Sequence, residues 1–191
     1  MKSFFRYSGV LFVALCLALP LAAAPITYTM TGSLSGTLGT DPVTLAAFTF
    51  VFNGDTTNIT GTDPLLNPAI SNSILITGFG SGQFSQAIDV GVSPIYGIGG
   101  FTDATASQGI QFENGVFVGW DLATPIGPLT SSSPAFASGA FTTSLDTLTI
   151  SSAQDLTFQA TTVPEPATFA LTGLALICMA RFLRRMSRAK R

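Results

Sequence analysis

The charged residues are unevenly distributed along the chain, and their distribution limits what the chain can form. All eight lysines and arginines lie within the first six residues or from Arg181 onward, whereas all ten acidic residues lie between these two ends. Positively charged segments remain on the cytoplasmic side of a membrane. The distribution therefore predicts an exported middle segment between two terminal targeting segments.

The N-terminal end has the three parts of an export signal. Lys2 and Arg6 supply the positive charge, residues 10–19 form an apolar run, and small residues follow it. This order is typical of a secretory signal peptide. Residues 1–24 are therefore predicted to be a signal peptide, with cleavage after either Ala23 or Ala24.

The C-terminal end combines an apolar segment with a basic tail. Residues 167–183 would form a helix roughly 25 Å long, against about 30 Å for the hydrocarbon core of a bilayer. A short transmembrane helix is therefore predicted, with the basic tail on the cytoplasmic side and residues 25–163 on the other side. The basic residues of this tail are Arg181, Arg184, Arg185, Arg188, Lys190 and Arg191.

The sequence Val163-Pro164-Glu165-Pro166 directly precedes this apolar segment. Its two prolines favour an extended, accessible backbone. A Pro-Glu-Pro motif, a short apolar helix and an arginine-rich end, in this order, resemble the PEP-CTERM sorting signal of Gram-negative bacteria. The resemblance covers residues 163–191.

The resemblance implies a partner, a location and a role. It implies that an exosortase recognises Pro164, Glu165 and Pro166 after export through the inner membrane. The chain would be anchored in the membrane before processing, and would then reach the cell surface or an extracellular matrix of exopolysaccharide. The exported domain would be a structural or adhesive component of that matrix or biofilm.

Residues 25–162 form the predicted exported domain, a length that usually builds a single core. The segment has nine acidic and no basic residues, a formal charge of −9. Nucleic acid is excluded as a partner, because its phosphates need cations. Cys16 and Cys178 lie in the two apolar ends, so no disulfide is expected in the domain.

The pattern of apolar residues in this segment predicts an all-β domain. Apolar residues alternate with Thr and Ser, and Gly and Pro recur every eight to twelve residues, which is typical of a β-sandwich or jelly roll. Phe48, Phe50 and Phe52 are expected on one face of a strand. The predicted strands include residues 26–30, 43–52, 73–79, 84–92 and 135–141.

Two strand pairs are predicted from local signals. Residues 109–112 and 116–120 flank Glu113-Asn114-Gly115, and Asn-Gly favours a type I′ hairpin turn. Residues 145–150 and 156–162 are expected to form the last pair, leading directly into the sorting motif.

The residue types that are absent from the domain limit its chemistry. Without His, Lys or Cys, it lacks the base of a serine triad, a Schiff-base lysine and a thiolate nucleophile. No catalytic residue is therefore predicted, and the chain is not expected to be an enzyme. A carboxylate pair of the glycosidase type is the remaining catalytic alternative. Its candidates are Asp89, Asp103, Glu113 and Asp121.

The segment 53–58 is a candidate calcium loop, because Asn53, Asp55 and Asn58 offer oxygen ligands. It lacks the terminal glutamate of an EF-hand, and Asn-Gly-Asp is also common in turns. The turn interpretation is favoured, no cofactor is expected, and calcium is kept as an alternative.

Three aromatic residues, Tyr28, Tyr96 and Trp120, are candidates for stacking on sugar rings. Trp120 is expected on the same strand face as Val116 and Val118, so a position in the core is favoured for it. A calcium- or carbohydrate-binding module is thus the alternative to a structural or adhesive protein. A glycosidase is the least favoured hypothesis.

Overall fold

The computed structural model describes residues 24–104, 108–131 and 136–162. The predicted signal peptide, sorting motif and C-terminal helix lie outside these residues. Among the described residues, no helix is long and apolar enough to cross a membrane. The described strands are β1 (Pro25–Leu38), β2 (Asp41–Asp55), β3 (Leu65–Pro68), β4 (Ser71–Ile76), β5 (Gly80–Gly82), β6 (Ile88–Ser93), β7 (Ile98–Asp103), β8 (Gly109–Glu113), β9 (Ile126–Thr130), β10 (Phe136–Thr142) and β11 (Thr147–Thr162).

These strands form one antiparallel sheet, which confirms the predicted all-β class. The order of neighbours is β3-β6-β7-β8-β10-β11-β1-β2-β4-β5, and β9 pairs with the C-terminal half of β11. β1 and β11 pair along nearly their whole length, from Ile26 opposite Thr162 to Leu38 opposite Leu148. β1, at the centre of the sheet, also pairs with β2 on its other side.

The sheet folds back on itself, so that its two halves face each other in a sandwich-like arrangement. The ring of Phe101 on β7 lies 5.3 Å from Phe50 and 5.1 Å from Phe52 on β2, measured between centroids. It also lies 5.9 Å from Phe141 on β10. β10 pairs with β8 on one side and β11 on the other, and so connects the two layers.

The alternation predicted for β2 is confirmed. Phe48, Phe50 and Phe52 are 3%, 0% and 1% exposed, whereas the intervening Thr49 and Val51 are partly exposed. Successive side chains of a strand point to opposite faces. The phenylalanines therefore fill the space between the layers, and the residues between them face outward.

The predicted hairpin around Glu113-Asn114-Gly115 is wrong. β8 ends at Glu113, and Gly115–Phe117 forms a short 3₁₀ helix, η2. The Asn114 side chain accepts a hydrogen bond from the Val116 N–H, 3.0 Å, and so caps this helix. An Asn side chain that bonds to the backbone competes with the turn that the Asn-Gly pair would otherwise form. Phe117 is fully buried, whereas Val116 and Val118 are 54% and 58% exposed, so they do not share a face with Trp120.

The predicted last pair of strands is also wrong, because residues 147–162 form the single strand β11. The polar residues 151–155 do not make a turn. The register between β1 and β11 shifts twice over this stretch, as it does at β-bulges, and Asp155 has a φ of +54°. A bulge inserts an extra residue into a strand without ending it. The polar stretch is therefore accommodated within one long strand.

Candidate functional site

The sorting motif begins just beyond the last described strand. Thr162 ends β11 opposite Ile26, near the start of β1. Pro164, Glu165 and Pro166 and the basic residues of the tail lie outside the described residues.

The candidate calcium loop has the geometry of a capped turn. Asn53 accepts a hydrogen bond from the Thr27 hydroxyl, 2.8 Å, and donates to Ser71, 2.9 Å. Asp55 caps the 3₁₀ helix η1 (Thr56–Asn58), because its carboxylate accepts from both the N–H and the hydroxyl of Thr57, at 2.8 and 2.6 Å. These bonds lower the pKa of the Asp55 carboxyl. The described residues contain no group of three or more acidic, His or Cys residues that could hold a metal. Calcium binding remains a prediction.

Of the four candidate carboxylates, Asp89 and Asp103 lie on neighbouring strands. Ile88 pairs with Asp103 and Asp89 with Thr102, so the two acids are one position apart across β6 and β7. Burial, and then the charge of Asp103, raise the pKa of the Asp89 carboxyl. Gln86 donates a 2.6 Å hydrogen bond to Asp103. The ionised form of the Asp89 carboxyl, which is 9% exposed, is therefore disfavoured.

Glu113 and Asp121 lie on other elements. Glu113 ends β8, and Asp121 follows η2. Burial raises the pKa of the Asp121 carboxyl, but hydrogen bonds from Ala123 and Thr124 outweigh it, so that the pKa is lowered overall. The Asp121 carboxylate accepts both backbone N–H groups, at 2.9 and 3.0 Å, and therefore stabilises the local turn.

Asp89→Asn is expected to stabilise the domain at neutral pH. When the pKa of a carboxyl is higher in the folded than in the unfolded state, the carboxyl stabilises the fold fully at a pH below its pKa in the unfolded state. That stabilisation is lost as the pH rises through its pKa in the folded state. Removing the charge should therefore raise the melting temperature by roughly 2–4 °C at neutral pH. Near pH 3, where the carboxyl is protonated in both states, the difference should disappear. Thermal unfolding at both pH values measures this.

The exposed Asp41→Asn variant is the control, since it removes the same charge from the first residue of β2. An Asp89→Asn variant that melts below the parent at neutral pH would show that the carboxylate stabilises the fold, contrary to this expectation.

Two of the three candidate sugar-stacking residues belong to the core. Tyr28 is fully buried and Trp120 is 6% exposed, which confirms the core position favoured for Trp120. The Tyr28 hydroxyl donates to the Leu122 carbonyl and accepts from the Asn67 amide, both at 2.7 Å. Burial raises the pKa of Tyr28 well above its ordinary value. The indole N–H of Trp120 donates to the Thr124 carbonyl at 3.0 Å. Neither ring is open to a ligand.

The third aromatic residue, Tyr96, is 73% exposed. It belongs to the turn between β6 and β7, beside the segment that follows β8. We call the exposed apolar residues of these two loops the apolar tip. The apolar tip consists of Ile95, Tyr96, Val116 and Val118.

The two loops of the apolar tip are joined by backbone hydrogen bonds. The Gly119 N–H donates to the Pro94 carbonyl, 3.0 Å, and the Asn114 N–H donates to the Gly97 carbonyl, 2.9 Å. The hydroxyl of Ser93, at the end of β6, donates to Asp63, 2.6 Å. Only Tyr96 among the tip residues was singled out in the sequence as a binding candidate. For Ile95, the signal that could have been used is weak: it is a large apolar residue directly after Pro94.

A second surface is polar and uncharged. On β1, Thr27, Thr29 and Thr31 alternate with buried residues and therefore face outward. Their cross-strand neighbours on β2 and β11 are mostly Thr, Asn and Gln, at spacings of about 4.8 Å between strands and 6.7 Å along them. We call this the hydroxyl face. It comprises Thr27, Thr29, Thr31, Thr49, Asn53, Thr157, Gln159 and Thr161.

The described residues thus define a small all-β domain that ends on a strand leading into a C-terminal signal. Residues 162–185 match the family model of the PEP-CTERM protein-sorting motif. The chain therefore carries this motif, and the resemblance seen in the sequence is confirmed. The motif implies export in a Gram-negative bacterium and sorting by an exosortase to the cell surface or beyond. No curated protein and no solved structure matches the chain.

Proposed function

We propose that the protein is a structural or adhesive component of an extracellular polysaccharide matrix, delivered as an exosortase substrate. The sorting motif at residues 162–185 carries this proposal, since it directs the chain to the surface. Before processing, residues 167–183 anchor the chain in the inner membrane, and the basic tail holds the cytoplasmic side. Exosortase is the processing partner, and exopolysaccharide is the partner of the released domain.

The hydroxyl face supports a role alongside polysaccharide. The residues that form it are uncharged, since they are Thr, Asn and Gln around Val51, and the carboxylate of Asp55 lies at its edge, two residues after Asn53 on β2. Hydroxyl and amide groups both donate and accept hydrogen bonds, as sugar hydroxyls do. The domain has nine acidic and no basic residues, so a neutral polymer, or an anionic one bridged by cations, is the expected partner.

Intact mass and fractionation together test this function. The protein is produced in a host with an exosortase and in the same host without it. With the enzyme, we expect the mass to show loss of the tail and the domain to be recovered with the extracted polysaccharide. Without the enzyme, the tail should be retained and the protein should sediment with membranes.

Glu165→Gln tests the motif itself, because it changes one charge at the centre of Pro-Glu-Pro. We expect this variant to keep its tail in the host with exosortase. Asp155→Asn is the matched control: it makes the same change on β11, outside the motif, and should be processed normally. A parent protein that keeps its tail in both hosts would refute exosortase processing. A processed domain found only in the free medium would refute the matrix role.

A further inference from the structure

The apolar tip consists of four exposed apolar side chains on two loops that are hydrogen-bonded to each other. The four residues come from two loops and are all largely exposed: Ile95 is 65% exposed, Tyr96 73%, Val116 54% and Val118 58%. Apolar residues exposed on adjoining loops are candidates for an interaction site or a membrane contact, whereas singly scattered ones are ordinary.

The loops are held in place by the protein's own backbone. Gly119 and Asn114 of one loop donate to Pro94 and Gly97 of the other. Within the turn between β6 and β7, the Ser93 hydroxyl accepts a hydrogen bond from the Tyr96 N–H, 3.2 Å. Fixed loops lose little conformational entropy when they bind. The tip is therefore organised for contact before any partner arrives.

Strand directions place the tip at the end of the sandwich from which the sorting tail leaves. β6 and β8 each pair antiparallel to β7, and β8 and β11 each pair antiparallel to β10. β6, β8 and β11 consequently run in the same direction. The tip loops follow the ends of β6 and β8, and the sorting tail follows the end of β11.

Side-chain contacts agree with this placement. Trp120, just after the tip, packs 5.9 Å from Phe158 near the end of β11, and Asn114 donates to the Thr130 carbonyl, 3.0 Å. Thr130 in turn pairs with Thr157 on β11. The second loop of the tip thus lies beside Thr157 and Phe158, in the C-terminal half of the strand that leads to the anchor.

The chain length beyond β11 keeps this end near the bilayer. Only residues 163–166 separate Thr162 from the apolar segment that begins at Ala167. An extended chain reaches at most about 3.6 Å per residue, so Thr162 lies within about 18 Å of the start of the anchor. This step depends on the anchored stage of the proposed function.

We propose that the apolar tip docks into the interfacial region of the bilayer while the chain is still anchored. Tyrosine favours the membrane–water interface, where its ring is apolar and its hydroxyl is hydrated, and Ile and Val bury in the acyl boundary. The absence of basic residues in the domain indicates zwitterionic rather than anionic lipid. Sugar rings stack on aromatic faces, but three of the four tip residues are aliphatic, so lipid fits better than glycan.

Docking by the tip alone is weak, because the apolar area is small and no cation assists it. A tether raises the effective concentration of the tip at the bilayer to the millimolar range for a short linker. The contact is therefore made by the anchored chain and lost after the tail is removed. Processing by the exosortase would then release the domain from both the anchor and the lipid surface.

Fluorescence quenching by brominated lipids tests the docking. The anchored chain, purified from a host without exosortase, is reconstituted into phosphatidylcholine vesicles whose acyl chains carry bromine. Tyr96→Trp reports on the tip, and Leu75→Trp is the matched control, since Leu75 is an exposed apolar residue, 48%, on β4. Trp120 is the chain's single tryptophan and is buried, so the parent protein supplies a protected baseline.

We expect at least about a twofold loss of the added fluorescence for Tyr96→Trp and almost none for Leu75→Trp, as an apolar contact that penetrates several ångströms requires. A triple variant that combines Ile95→Ser and Val118→Ser with Tyr96→Trp should recover most of the fluorescence that bromine quenches. Flotation with the vesicles checks the anchor separately.

The other outcomes overturn the proposal in distinguishable ways. A chain that floats with the vesicles but is not quenched at residue 96 refutes docking and leaves the sorting function intact. Equal quenching at residues 96 and 75 indicates adsorption of the whole surface, not docking by the tip. A change at residue 96 that depends on protein concentration and not on bromine indicates a second copy. A chain that does not float refutes the anchored stage, and docking with it.

Discussion

Phe101→Ala is expected to lower the free energy of unfolding by about 3–5 kcal/mol, the range found when a buried phenylalanine is truncated. Phe101 is 1% exposed. Its ring contacts residues from three other parts of the chain: Phe50 and Phe52 on β2, Phe84, and Phe141 on β10, with centroids 5.1 to 5.9 Å away. The substitution leaves a cavity where the two layers meet. The urea concentration at the midpoint of unfolding measures the loss.

A domain has a total stability of about 5–15 kcal/mol, so this loss is a large fraction of the whole. Phe136→Ala is the matched control, since Phe136 is 56% exposed at the start of β10. It should change stability by less than about 1 kcal/mol. Equal effects of the two substitutions would mean that Phe101 does not hold the layers together.

The sequence was sufficient to predict these buried layers because their pattern is local. Phe48, Phe50 and Phe52 alternate with smaller residues, and strand geometry places all three on one face whatever their partners are. The order of the strands depends instead on contacts between distant residues. Nothing in the sequence near β10 indicates that it joins the two layers.

The errors share one physical origin, which is competition between local alternatives that only packing decides. At Asn114 the side chain bonds to the backbone and Phe117 enters the core, so a capped 3₁₀ helix replaces a hairpin turn. Along residues 151–155 polar composition indicates a turn, but pairing with β1 continues through bulges. In both places the long-range contact outweighs the local signal.

For the same reason, only part of the candidate site could be predicted from the sequence. Tyr96 was identified as a binding candidate from its residue type, and it is exposed. The residue spacing predicts Val116 and Val118 on a strand face with Trp120. They are instead exposed in a loop, so the sequence did not identify them as part of the tip. The sorting motif was recognised because it is a contiguous sequence that requires no folding to be identified. A surface built from two loops has no such sequence signature.

Gly36→Ala is expected to destabilise the domain by about 3 kcal/mol, because the centre of the sheet has no room for a Cβ atom there. Gly36 lies on β1 between β2 and β11. Next to Gly36, the register shifts in the pairing of β1 with each of these two strands. An added Cβ would overlap the Thr149 carbonyl oxygen on β11. That oxygen belongs to the backbone of a paired strand, so it cannot move away without disturbing the pairing of β1 with β11.

Gly115→Ala supplies the matched control, since an added Cβ at this first residue of η2 would meet nothing within 4 Å. It should change the free energy of unfolding by less than about 0.5 kcal/mol. Urea unfolding compares both variants with the parent, and hydrogen exchange locates the damage: Gly36→Ala should lose amide protection first along β1 and β11. Wild-type stability in Gly36→Ala would contradict this expectation, because it would show that β1 and β11 can move apart at Gly36 at little cost.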